Sequence, residues 1–212
     1  ATAKTISHSL SAVPHWIISK EKTGSVNDWV VYHHKNTSDP KTDYLILNEA
    51  NATADSNTVW NDTAPTSSVF TVGTGSVVNR NSSTYIYYLW TEIQGYSKFG
   101  SFTGNNNADG IFVYTGFKPA WVMTKSSNQG GTNYDWVIFD NKRNTGNPND
   151  DFLDANNDGA EVTSGRNIVD FCSNGFKCRS SYGDLNSNTT YLYMAFAEAP
   201  FVNSNGVPAN AR

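Results

Sequence analysis

The chain has 212 residues, 15 Lys and Arg against 19 Asp and Glu for a net charge of −4, and 13% aromatic residues. That length accommodates one large β domain or two of about 100 residues, and it buries enough surface to need no disulfide staples. Mild acidity without a clustered basic face excludes a nucleic-acid partner, and no apolar run approaches 18 residues, so no membrane insertion is expected.

Polarity comes from Asn, Ser, Thr and 16 Gly rather than from charge. These residues suit turns and exposed strand faces, while Trp, Tyr and Phe suit half-buried pleated surfaces. Few segments repeat apolar residues at helical spacing, so the chain reads as all-β and extracellular in style. The opening "ATAKTISHSLSAV" has neither the basic nor the apolar region of a secretory leader and no initiator Met, which fits a processed chain or a piece of a longer one.

In chain order, strands are expected near 3–9, 15–20, 28–34, 43–48, 68–73 and 84–93. A Gly-rich junction, "GSFTGNNNADG" (100–110), follows. Further strands are expected near 110–115, 120–125, 135–141 and 150–154, then a hairpin over 168–178 and a last strand near 189–198. The hairpin turn is placed at Asn174-Gly175, which sets Cys172 opposite Lys177 and Phe171 opposite Cys178. The two cysteines then point to opposite sides, and free thiols are expected.

The two series repeat. "LSAVPHWIISK" is answered by "GFKPAWVMTK", "NDWVVYHHKN" by "YDWVIFDNKRN", and "SSTYIYYLWTEI" by "NTTYLYMAFAEA". Ordered blocks at a nearly constant offset of about 105 residues define a duplicated unit. The expected architecture is two tandem homologous β-sandwich units, jelly-roll-like, over 1–99 and 100–212, the second carrying a C-terminal tail. One large sandwich built from the two halves is the alternative. In "TYIYYLWTE" both strand faces are apolar, which implies either cover on both sides or tyrosines lying on a wet face.

Catalytic constellations are hard to assemble. His8, His15, His33 and His34 all lie in the first half, whereas both cysteines lie in the second. Adjacent His33 and His34 point to opposite strand faces, which is wrong for chelation. Glu92 and Glu198 occupy equivalent repeat positions and read as structural, with Lys20 and Lys125 as partners. In "DANNDGAE", Asp154, Asn156, Asp158 and Gly159 fit the opening of a calcium loop, yet position twelve is Gly165 and the flanks are not helical. A solvated turn is the plainer reading; calcium is the one cofactor the pattern raises.

"GYSKFGSFTGNNNADGIFVYTGFKPAWVMTK", with "DWVIFDNKRN", "YLYMAFAEAPF" and the closing "PANAR", resembles a module of virion proteins from tailed phages of marine bacteria, a module often present in tandem. The resemblance spans nearly the whole chain and brings no assigned functional residues. It implies a non-enzymatic structural protein on the outside of a virion, as a tail fibre-like or other appendage or a capsid decoration. Host attachment through a surface glycan or protein, and assembly as a homo-oligomer or with other virion proteins, are its expected partnerships. The alternative is a carbohydrate-binding module of an extracellular protein, with Trp60 and Tyr182 as the stacking candidates because neither has an obvious repeat copy. A polysaccharide-cleaving enzyme ranks last, since no carboxylate pair stands out.

Overall fold

Short strands of β-branched and aromatic residues, separated by Gly, Asn and Ser turns, account for nearly all regular structure in the computed structural model, which describes residues 1–24, 27–163 and 165–200. The expected C-terminal tail and its "PANAR" ending lie outside the described residues beyond 200. The chain divides into two compact units, Ala1–Thr91 and a second that begins at Glu92.

In the first unit the elements are β1 (Lys4–Ser7), β2 (Trp16–Glu21), β3 (Val30–His33), β4 (Asp43–Ile46), β5 (Ala54–Asp55), α1 (Asn57–Trp60), β6 (Val69–Val72), α2 (Ser76–Asn79) and β7 (Tyr85–Trp90). They form a five-stranded sheet in the order β5-β4-β3-β2-β7 and a ribbon of β1 with β6. A core cluster draws on both sheets and both single-turn helices: Ile17, Val30 and Tyr32 meet Phe70, Val72, Trp60 and Val78. Ser56 caps α1 by accepting from the Thr58 N–H, and Asn61 ends it in the left-handed region at φ 55°.

The second unit contains β8 (Ser97–Thr103), β9 (Phe112–Tyr114), β10 (Pro119–Ser126), β11 (Val137–Asp140), β12 (Leu153–Asp154), β13 (Val169–Cys172), β14 (Gly175–Cys178) and β15 (Thr190–Ala197). Its sheets run β12-β11-β10-β15-β8 and β13-β14-β9. The core lies between residues of both sheets, with Val122, Phe139, Tyr191 and Tyr193 against Phe176, Phe171 and Val113.

The two units pair corresponding strands in the same register. Trp16 faces Trp90, Ile17 faces Leu89 and Ile18 faces Tyr88 across β2 and β7. Trp121 faces Phe196, Val122 faces Ala195 and Met123 faces Met194 across β10 and β15. Trp16 with His33 and Trp121 with Asp140 correspond in the same way. A one-residue slip would turn every core side chain outward, so shared register means shared burial.

Two expectations change, and an either-or reading is resolved. The boundary placed at 99/100 cuts through β8, a seven-residue strand belonging to the second unit's sheet; the segment read as a junction therefore begins as structure. The hairpin turn is Ser173-Asn174, with Cys172 opposite Gly175 and Phe171 opposite Phe176. Gly175 is demanded by close approach, since a Cβ there would collide with the Val113 carbonyl of β9. Cys172 and Cys178 stay on opposite faces and both are free. Finally, β7 is wet on its second face, where Ile86 and Tyr88 are each 41% exposed, while β15 is buried on both faces along most of its length.

Candidate functional site

The most polar repeated residues are engaged in holding the fold. Asn48 accepts from the Trp29 N–H at 2.8 Å and donates to Asp28 at 3.0 Å. Asn156 does the same for Trp136 and Asp135, both at 2.7 Å. The Tyr85 hydroxyl bridges the Ser76 carbonyl and the Arg80 N–H, and the Tyr191 hydroxyl bridges the Gly183 carbonyl and the Ser187 N–H. Each clamp ties a loop to a strand, because loop N–H and C=O groups withdrawn from water need a partner.

Lys20 and Lys125 also correspond, with different outcomes. The Lys20 ammonium lies 5.4 Å over the Trp29 ring and donates to the Asn27 carbonyl. Lys125 is fully buried and donates to the carbonyls of Ser126 at 3.0 Å and Gln129 at 3.3 Å. Burial pulls its pKa down to about 8, against the pull of the Asp135 and Asp184 charges. Asp184, itself buried, accepts from the Asp135 N–H at 2.8 Å and from Asn167 at 3.0 Å, and it lies 3.5 Å from Arg166. The expected pairing of Glu92 and Glu198 with these lysines is replaced by local partners, Lys98 at 3.1 Å and Lys118 at 2.8 Å. Strand geometry explains it: Glu92 and Glu198 lie just past the ends of β7 and β15, beside Lys98 at the start of β8 and Lys118 just ahead of β10.

Of the calcium candidates, Asp154 binds Arg166 at 3.1 Å and Asn157 at 3.2 Å, and Asn156 has turned its carbonyl to Trp136. Asp158 is exposed. Burial raises the Asp154 pKa, which disfavours the anion a cation would need. Among the described residues no three His, Cys, Asp or Glu side chains are grouped to hold a metal ion. The histidines do gather: His15 and His34 rings are 4.2 Å apart edge to face, and His34 lies 5.2 Å from His33.

The two stacking candidates separate. Trp60 is only 2% exposed, packed edge-on to Tyr32 in the first core, so it cannot present a face to a ligand. Capping at Ser56 folds this loop into α1 and swings the indole inward. Tyr182 is 43% exposed and lines an open cleft of about 440 Å³ with Asn133, Tyr134 and Ser187, and Arg166 lies 5.9 Å over its ring.

A row of rings outside the two stacking candidates is the better platform. Trp29 and Tyr88 stack at 6.4 Å with planes 19° apart, and Tyr88 and Trp90 at 6.1 Å with planes 20° apart. Ile86 extends this apolar surface on β7. The second-unit counterparts of Trp29 and Tyr88, Trp136 and Met194, are buried, so the open row belongs to the first unit alone. The sequence signal was present in the aromatic second face of "YIYYLW".

The chain is thus an all-β protein whose polar side chains mostly brace loops, with an aromatic row and a tyrosine-lined cleft as its open surfaces. Residues 1–200 match the family described as "Domain of unknown function (DUF7483)", and the chain belongs to that family. No curated protein and no solved structure matches it.

Proposed function

We propose that the chain is a non-enzymatic structural module of a tailed-phage virion, exposed on an appendage or on the capsid and engaged in host contact. The observation that carries this reading is the repetition of one strand register in two units, with the polar residues committed to loop clamps. Such construction favours rigidity and salt tolerance, and it leaves binding to assembled surfaces. Each unit is read as a small β-sandwich produced by duplication, and the particle setting rests on the sequence resemblance. Immunogold labelling of purified virions with an antibody to this chain tests the reading: decoration of particles is expected, and absence of the chain from virions by mass spectrometry rejects it. Light scattering after size exclusion addresses the oligomer, for which a closed symmetric assembly is expected.

The second reading is a carbohydrate-binding module. It is favoured by the Trp29–Tyr88–Trp90 row, whose near-parallel rings match the flat faces of successive sugars. A glycan array gives hits that vanish with Tyr88→Ala if this reading holds. An array without hits removes it.

A further inference from the structure

β15 and β7 are the same strand of the repeat, but only β15 has a neighbour on each side. β10 lies along one edge of β15, and β8 runs antiparallel along the other, from Phe196 opposite Ser97 to Thr190 opposite Thr103. β7 has its counterpart of β10 in β2, in the same register. Among the described residues it pairs with no other strand.

Hydrogen-bond parity fixes which groups face the open edge. The Lys22 N–H donates to the Thr84 carbonyl at 2.8 Å, so Thr84, Ile86 and Tyr88 aim their backbone groups at β2. Tyr85, Tyr87 and Leu89 aim theirs the other way. In the second unit the equivalent Ser127 N–H donates to the Thr190 carbonyl at 3.0 Å, and the outward-aimed residues are the ones β8 covers.

Natural edges are usually guarded by charge, proline or a bulge. β7 reads Tyr-Ile-Tyr-Tyr-Leu-Trp, with none of these. It also keeps Ile86 and Tyr88 in water.

We propose that the β7 edge is a strand-acceptor site, filled by an extended segment of another polypeptide with the pattern of β8. The occupant chemistry follows from the β8 register. Phe102 lies opposite Tyr191 and stacks on it at 5.2 Å with planes 16° apart, so the donor places an aromatic ring opposite Tyr85. Tyr85 is oriented for this, because its hydroxyl is held by Ser76 as the Tyr191 hydroxyl is held by Gly183. Gly100 lies opposite Tyr193, where a Cβ would come within 2.7 Å of the ring, so a small residue falls opposite Tyr87. Main-chain hydrogen bonds supply affinity, and these alternate positions supply selectivity. The proposal is independent of where the protein resides.

The test uses the intact chain and a synthetic peptide of its own residues 95–104, GYSKFGSFTG, capped at both ends. Saturable binding is expected, accompanied by slowed amide exchange over 84–91 and unchanged exchange over 190–197. The peptide with Phe102→Ala binds about tenfold more weakly, as does the wild-type peptide to the protein carrying Ile86→Lys and Tyr88→Lys, changes on an exposed face that leave the core alone. Absence of saturable binding overturns the proposal. So does faster exchange at 97–103, which reports displacement of β8 from β15. A dimer of the chain alone with 84–91 already protected overturns it too, since β7 would then be paired with its own copy.

Discussion

The Asn156 side chain holds the Trp136 N–H at 2.7 Å while donating to Asp135, and Asn48 holds Trp29 and Asp28 in the same way 107 to 108 residues earlier. In each unit one amide side chain thus pins the start of the third strand of the repeat to the loop after the fourth.

Asn156→Ala should cost about 1–3 kcal/mol, because it strands the buried Trp136 N–H as well as removing a hydrogen bond. Urea unfolding measures it. Asn156→Asp, which keeps the acceptor but faces Asp135, should fall between wild type and Ala, and equal stability of all three would show that the clamp is idle.

Tyr191→Phe and Tyr85→Phe remove equivalent hydroxyls from different surroundings. Tyr191 is fully buried, so its loss leaves a gap at the hydroxyl and takes a partner from both the Ser187 N–H and the Gly183 carbonyl. Tyr85 is half-buried and water can replace it. The expected cost is about 1–3 kcal/mol at Tyr191 and under about 1 kcal/mol at Tyr85. Thermal unfolding that ranks them the other way would contradict the burial assignment.

Lys125 makes stability depend on pH. Its folded pKa of about 8 lies below the ordinary value of 10.5, so between these values the unfolded chain holds a proton the folded chain has released. Stability therefore rises with pH across that window, by on the order of 3 kcal/mol if the whole interval is crossed. Tyr32, Tyr87, Tyr191 and Tyr193, pushed up to about 12 by burial, act in the opposite sense above their ordinary value of 10. Cys178, also pushed up to about 12, opposes the rise above its ordinary value of 9. A net rise is thus expected between pH 8 and 9, and denaturant midpoints for wild type and Lys125→Met should diverge between pH 8 and 10. Parallel curves would reject the assignment.

The thiols should react at very different rates. Cys178 is buried and its thiol is pushed up to about 12, whereas Cys172 is partly open. A thiol reagent under native conditions should label Cys172 first, and Cys178 only at the rate of unfolding. Simultaneous labelling would mean that β14 opens locally.

Calcium should not stabilise the chain, because Asp154 and Asn156 are already engaged by Arg166 and Trp136. Melting with millimolar calcium or a chelator is expected to coincide; a shift above about 2 °C would restore a site.

The sequence alone determined most of the strands and which blocks of the two halves correspond, because period-two burial and turn chemistry are local properties. Trp16 with Trp121 and Lys20 with Lys125 were legible as equivalents for that reason. Other features were decided only in three dimensions. Gly175 entered a strand because the Val113 carbonyl leaves no room for a side chain there. Trp60 turned inward through a single-turn helix, and Lys125 was buried while Lys20 lay against an indole. Ser97–Thr103 became a strand because β15 offered an edge. Whether a strand edge is filled depends on what lies beside it in space, and that separates β15 from β7 although their sequences and registers correspond.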